Sequence, residues 1–427
     1  MKMTEKIPLP PIIRKNIFLF IAGFGFFFIA FEIGIPLYAK VALEITGKKE
    51  LVGLPLTLST LAAIFSAIPL GKIADKAGRK LVAIVSTLVL GSGFTVAAWG
   101  ISVNSWSIYL YGNILIGLGL GGNPLFVLAV TDMFPPKRKG EASGLAFLGL
   151  YVGMTTGPFL GGVIAGAYGF TYAFLAGSVF AVLGVIILLL VSPDPLEIGT
   201  HLEKYYPEFE EESKMEEKQE IKIRSIPQIF RLYPIQVQFW SRILVHAPRL
   251  FLIVLAPIVL TEIGYSMAWV GTLLMVMGIG MFAVSFPMGR LADIYGRKKM
   301  IFGGAIISLL SIAAEVYTMN MVLLGIIFLA IGFGFTAINN VAPNMIADVT
   351  HPLERGKAMG FFGISGAAGG IVFPVFSGWV YGTLGPLYVG WVGAGVVLVI
   401  LLILIPLREK TPGVYDNAGA RPEDIPR

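Results

Sequence analysis

The residues of this chain best suited to chemistry are a few polar side chains set inside long apolar runs. Glu32 stands 17 residues after Lys15, roughly 25 Å further along a helix that rises 1.5 Å per residue. An ionisable group within such a run is costly and is a functional candidate by default. Glu32 can hold a proton or a cation there, or it reaches water or pairs with a neighbour. Arg242, His246 and Arg249 follow at steps of four and three, which puts them on one helical face. That basic stripe suits a carboxylate or phosphate ester, with Arg249 offering two parallel donors; alternatively Arg249 is a counter-ion for Glu32. Asn123, Asn339 and Asn340 add amides that can bond a substrate or a neighbouring helix. Glu315, near the end of its run, is expected to snorkel to an interface.

Several kinds of chemistry are excluded or disfavoured. With no cysteine, the chain has no disulfide, thiolate metal site, iron–sulfur cluster or cysteine nucleophile. Its three histidines, His201, His246 and His351, are far apart, so no metal site and no cofactor are expected. A phosphate loop of the Gly-x-x-x-x-Gly-Lys-Ser/Thr type is absent, which leaves ATP-driven work without a motor. A nucleophile elbow is missing too, so the chain does not read as an enzyme.

The elements that must position these groups are membrane helices. The 427 residues are 56% hydrophobic and 14% charged, with a mean hydropathy of +0.80. About 20 apolar residues cross a bilayer core, and the chain offers twelve such runs, six between Ile17 and Val191 and six between Gln236 and Leu407. The first follows Lys2, Lys6, Arg14 and Lys15 and ends in no small-residue cleavage site, so it is expected to be a retained helix. Between the sets lies a polar connector, 192–235, with Glu208, Glu210, Glu211, Glu212, Glu216 and Glu217. It is expected to be solvated. The expected organisation is a bundle over 1–191, the connector, a second bundle over 236–407 and a tail over 408–427.

Charge sets the expected orientation. If the N-terminus is cytoplasmic, the inner segments hold 27 of the 32 lysines and arginines and the outer loops hold three, Lys40, Lys48 and Lys49. The positive-inside rule then puts both termini and the connector in the cytoplasm. The net charge of +6 follows from those loops and calls for no nucleic acid.

The two sets are copies. Gly71-Lys-Ile-Ala-Asp75-Lys-Ala-Gly78-Arg79-Lys80 returns 218 residues later as Gly289-Arg-Leu-Ala-Asp293-Ile-Tyr-Gly296-Arg297-Lys298. Asp132, Gly140, Ala142 and Gly144 return as Asp348, Gly356, Ala358 and Gly360, 216 residues on. Asn123 and Asn339 share that offset. Parallel six-helix repeats place a ligand site between the halves near the bilayer midplane.

On these motifs the chain resembles the major facilitator superfamily over essentially its whole length. The resemblance implies an all-α integral membrane fold of twelve transmembrane helices in two pseudo-symmetric six-helix bundles. It also implies alternating access to a small-molecule substrate, with helices one, four, seven and ten lining the cavity. Asp75, Arg79 and Asp132, with Asp293, Arg297 and Asp348, would form cytoplasmic gates, closed in the outward-facing state. Physically, Arg79 can bridge its two aspartates, and Asp75 can accept bonds at a helix N-terminus.

In the fifth run, Gly153-Met-Thr-Thr-Gly157-Pro158-Phe-Leu-Gly161-Gly162 resembles the pattern of the branch that exports drugs in exchange for protons. It implies proton-coupled export of amphipathic molecules by a monomer in the lipid bilayer. The eleventh run carries a comparable stretch, Gly363 to Gly370 with Pro374, but lacks Gly-Pro. One departure is Asn113, where many proton-coupled exporters carry an arginine; coupling would then fall to Glu32 or His246. Transport of an organic anion, centred on Arg249 and His246, is the alternative.

Overall fold

The computed structural model describes residues 9–135, 138–206, 224–315, 317–351 and 354–415, and most of them are helical. In the first half, α1 (Pro11–Ile33) and α2 (Tyr38–Thr46) make one broken span. It is followed by α3 (Leu54–Ala77) and α4 (Arg79–Ser102). A second broken span, α5 (Trp106–Leu120) with α6 (Asn123–Asp132), precedes α7 (Lys139–Tyr168) and α8 (Phe170–Leu189). Short helices α9 (Pro195–Thr200), α10 (Leu202–Tyr205) and α11 (Ile226–Phe230) belong to the connector. The second half is α12 (Tyr233–Glu262), α13 (Met267–Tyr295), α14 (Arg297–Glu315), α15 (Met321–Val349), α16 (Arg355–Leu384) and α17 (Pro386–Leu404).

Eleven of these spans are long and apolar enough to cross a membrane. The twelfth, α14, has 19 residues and carries Arg297, Lys298, Lys299 and Glu315, so its charge dilutes the signal that the other eleven give. An even number of crossings brings the start of α1 and the end of α17 to one side, called here the basic end for the lysines and arginines of its loops.

The first run departs from the continuous helix expected over Ile17–Tyr38. It begins at Pro11, breaks after Ile33 and resumes at Tyr38. Proline has no N–H for the helical ladder, and around Pro36 the chain turns through short bonds from Ile35 N to Glu32 O (3.1 Å) and from Leu37 N to Gly34 O (2.9 Å). The connector is not uniformly solvated either: Ile198 and Tyr206 are buried, and Tyr206 donates to the Met133 carbonyl at 3.2 Å. Its acidic cluster, Glu208 to Glu217, lies outside the described residues. Part of the expected tail is ordered as a hairpin, β1 (Glu409–Thr411) against β2 (Val414–Tyr415).

The α1–α2 span and α12 are the most buried of the crossings. Around them the halves meet through two helix pairs, α3 with α16 and α7 with α13. These interfaces are backbone-close because small residues line them, as membrane helices require when lipid supplies no hydrophobic drive between them. A Cβ on Gly278 would lie 2.8 Å from the Met154 carbonyl oxygen, and one on Gly370 would lie 3.0 Å from Thr60 Cγ2. Contacts made across the halves run from the far end, where Thr57 Oγ1 donates to Ile371 O at 2.9 Å, down to the hydrogen bond between Ser285 and Tyr151. Nearer the basic end, a Cβ on Gly71, Gly144, Gly289 or Gly360 would meet nothing within 4 Å. The contacts that join the halves are concentrated between the far end and the middle of the bundle.

The repeated loops turn on Gly78 (φ 97°) and Gly296 (φ 101°), a region that side chains oppose. Substituting alanine at Gly78 should lower stability by about 1–3 kcal/mol. Thermal unfolding of the purified protein in detergent would show this as a reduced midpoint relative to wild type.

Candidate functional site

Glu32, in the last turn of α1, is 3% exposed. From α12, Arg249 brings Nη2 to 3.9 Å from its Oε1. The counter-ion reading is thus what the geometry realises, and the pair joins the halves. At 3.9 Å the contact is an ion pair and too long for a hydrogen bond. Both partners keep unused capacity: Arg249 Nε is buried with no hydrogen-bond partner among the described residues. The Arg249 guanidinium also stands 5.4 Å from the centre of the Phe335 ring.

The basic stripe of α12 keeps its shared face but divides its partners. Arg242 donates from Nε to Asn339 Oδ1 at 3.1 Å and from Nη1 to the Phe362 carbonyl at 2.6 Å. Its guanidinium carbon lies 3.1 Å from the Phe362 ring centre, and among the described residues no carboxylate pairs with it. His246 Nδ1 stands 2.7 Å from the Arg242 carbonyl. A carbonyl only accepts, so Nδ1 carries the proton and Nε2 is left as the acceptor of the neutral ring. The glycine run of α16 makes this arrangement possible. A Cβ on Gly366 would lie 2.9 Å from Arg242 Nη2, and one on Gly369 would lie 2.9 Å from His246 Cγ.

The amides separate as well. Asn339 binds Arg242, whereas Asn340 Nδ2 donates to Ser285 Oγ at 3.0 Å, and Ser285 bonds Tyr151 across the halves. Ser285 and Tyr151 carried no signal in the sequence, being an ordinary serine and tyrosine in apolar runs. Asn123, the repeat partner of Asn339, stands in the first turn of α6, and the hydrogen bonds of this cluster do not include it. Asn113 is fully buried and donates to the Tyr109 carbonyl one turn back at 2.8 Å.

The motif of the fifth run is taken up in packing. On α7, a Cβ at Gly153 would meet Phe28 and Ile29, one at Gly157 would lie 2.6 Å from Glu32 Cβ, and one at Gly161 would meet Ile33. Gly162 faces Met267 and Gly271, while a Cβ at Gly271 would lie 2.5 Å from the Pro158 carbonyl oxygen. One helix thus backs Glu32 and joins the halves.

At the basic end both loop clusters form as pseudo-symmetric sets. Arg79 bridges Asp75 (2.6 Å) and Asp132 (2.9 Å), and Arg297 bridges Asp293 (2.5 Å) and Asp348 (3.1 Å). The expectation that Asp75 receives helix N–H groups is not met. Asp194 takes that role, accepting from Arg79 N and Lys80 N, both at 3.0 Å, and Glu409 accepts from Arg297 N and Lys298 N, both at 2.8 Å. Lys80 Nζ holds the carbonyls of Leu189 and Val191, as Lys298 Nζ holds those of Ile405 and Leu407. Asp194, flanked by prolines, was detectable as a helix cap; nothing local marks Glu409. Each cluster lies within one half, with the Asp75 and Asp293 side chains 66% and 62% exposed.

The connector's end is clasped to the second half. Arg224 binds the fully buried Glu354 through Nη2 at 2.7 Å and through its backbone N–H at 2.7 Å. Burial pushes the Glu354 carboxyl up, but its bonds to Arg224 and to His351 N–H outweigh this and hold it below the ordinary carboxylate value. Among the described residues no group of three or more histidine, aspartate or glutamate side chains is placed to hold a metal.

The major facilitator superfamily model matches residues 16–248 and 239–425. With that match, the twelve spans and the paired loops, the chain belongs to the Major Facilitator Superfamily, a family of transporters. It is 26% identical over 393 residues to the riboflavin transporter RfnT of Brucella anthropi, covering 90% of this chain and 93% of that one. It is 24% identical over 342 residues to a multi-drug resistance efflux pump PmrA homolog of Lactococcus lactis, covering 78% and 80%. Among solved structures, a bacterial homolog of the human lysosomal transporter Spinster, inward-facing and occupied, superposes with a TM-score of 0.69 at 14% identity, over 93% of this chain and 96% of that one.

Two outcomes follow. Asp194→Ala removes the acceptor at the start of α4 and should cost about 0.5–2 kcal/mol, read as a lower unfolding midpoint. Arg224→Ala removes the guanidinium from Glu354 and leaves it the backbone N–H groups of residues 224 and 351, at about 1.5–3 kcal/mol. A depressed carboxyl stabilises fully above its unfolded value of about 4.3, and the benefit fades as pH falls through the lower folded value. Unfolding midpoints of wild type and variant should therefore differ at pH 7 and converge in stronger acid; a gap that does not change with pH would remove the ion pair as its cause.

Proposed function

We propose that the protein is a proton-coupled carrier of small amphipathic organic molecules bearing an anionic group, working as a monomer by alternating access. The observation that carries this reading is the Glu32–Arg249 pair at the closed neck between the halves. A proton on Glu32 leaves the Arg249 guanidinium without its charge partner, a state that costs several kcal/mol when buried. A substrate carboxylate entering from the basic end offsets that cost through bidentate bonds. Proton and anion then favour each other's binding, and the pair re-forms once both have left.

Arg242 supports an anion further, because the stripe carries one more guanidinium than the neck has carboxylates. His246, Asn339 and Asn340 supply polar contacts and Phe335 an apolar wall. The positive-inside rule supports a cytoplasmic basic end, with both termini, in a cell membrane, and contacts between the halves concentrated from the far end to the middle favour reading this conformation as inward-facing. In the outward-facing form the exposed carboxylates of Asp75 and Asp293 would meet the opposite half and hold the inner side shut.

Export of cationic or drug-like molecules in exchange for protons is the second reading, favoured by the Gly153–Gly162 motif lying directly against Glu32. Proteoliposomes separate the two, with a radiolabelled aromatic carboxylate and a lipophilic quaternary cation as probes. We expect an acid-outside gradient to drive carboxylate uptake and Glu32→Gln to remove the dependence on the gradient. Arg249→Lys, which keeps the charge but loses the bidentate fork, should cut carboxylate uptake at least tenfold, about 1.4 kcal/mol. Proton-driven movement of the cation, abolished in Glu32→Gln and indifferent to Arg249→Lys, would replace the anion reading with the export reading.

A further inference from the structure

A cavity of about 200 Å³ lies within the second half toward the far end, between α12, α14, α15 and α17. It is separate from the neck: Phe251, in its wall, is two residues past Arg249 and so about 200° around α12. Phe251, Leu255, Ile312, Leu324, Phe328 and Val389 make the walls apolar. Glu315 and Thr318 are the polar side chains of the lining, and among the described residues the Glu315 carboxylate has no ion pair and no hydrogen-bond donor. Glu315, the last residue of α14, is half-buried, in keeping with the place near an interface expected of it, and it also lines this cavity. An ionised carboxylate against apolar walls is costly unless something pairs with it, and among the described residues the cavity lining offers no cation.

We infer that this cavity binds the ammonium end of an amphipathic amine, with nitrogen on Glu315 and the aliphatic body along the apolar walls. The chemistry of the lining selects for this class. An anion would face the carboxylate, a sugar would lack polar partners, and a neutral hydrocarbon would leave Glu315 unpaired. At about 30 Å³ per water-sized group, the space holds roughly six or seven non-hydrogen atoms. That is an ammonium and a short chain, and a longer one would leave past Leu387, which is 53% exposed at the rim. Either a free lipophilic amine or a membrane lipid with a primary ammonium headgroup presents this group. The site is independent of the substrate assigned to the neck.

The test uses the purified full-length protein in neutral detergent, with hexylammonium and the neutral hexanol as probes in calorimetric titrations. Hexylammonium should bind wild type at least tenfold more tightly than hexanol does, and Glu315→Gln should erase that preference. Ala256→Phe, which fills the cavity from its wall and keeps Glu315, should lose both probes; an unfolding midpoint close to wild type shows that either variant is folded. Equal binding of the two probes to wild type, or undiminished hexylammonium binding in Glu315→Gln, overturns the proposal. Native mass spectrometry after release from bilayers of mixed phosphatidylethanolamine and phosphatidylcholine then separates the sources. Ethanolamine lipid retained by wild type and lost in Glu315→Gln identifies a headgroup site; hexylammonium binding without lipid retention identifies a free amine.

Discussion

A buried carboxylate and a buried guanidinium that face each other without a hydrogen bond set the terms for the rest of this molecule. In a low-dielectric neck neither Glu32 nor Arg249 is tolerable alone, and their separation of 3.9 Å leaves both open to a better partner. The helices that bring them together must therefore be held tightly while the space beside them stays accessible. The glycines of α7 press it onto α1 directly behind Glu32, and the glycines of α16 make room for Arg242 and His246 on α12. Packing close to backbone contact is how membrane helices gain stability from dispersion where lipid cancels the hydrophobic effect. The motif in the fifth run is thus accounted for by where it sets Glu32, whichever molecule is carried.

Pseudo-symmetry works differently at the two ends. At the basic end the copies are faithful down to hydrogen bonds: Arg79 and Arg297 each bridge two aspartates, Asp194 and Glu409 each cap the following helix, and Lys80 and Lys298 each hold two carbonyls. Each cluster ties three or more segments of its own half into a rigid unit. Rigid halves are what a rocking motion needs. In the centre the copies diverge. Asn339 binds an arginine of α12, whereas Asn123 has no such neighbour, because the first half offers Glu32 where the second offers a basic stripe. The result is one sign of charge on each side where Arg249 and Glu32 bring the halves together.

The sequence by itself determined the spans, the two-fold repeat and the family. It also determined that Arg79 would lie one turn from Asp75 and that Arg242, His246 and Arg249 would share a face. All of these follow from local rules: the length of an apolar run, the 3.6-residue turn, the recurrence of a string. The tertiary structure alone decided which side chains meet. That Arg249 pairs with Glu32 while Arg242 takes Asn339, that Ser285 and Tyr151 join the halves, and that Glu409 repeats the role of Asp194 all depend on segments 97 or more residues apart approaching within a few ångströms. Glu315 keeps the partial exposure expected of a residue at the end of its run, and only the packing of α12, α15 and α17 beside it makes it part of a cavity wall. Spacing along one helix says which way a side chain faces, and only the packing of other helices says what stands there.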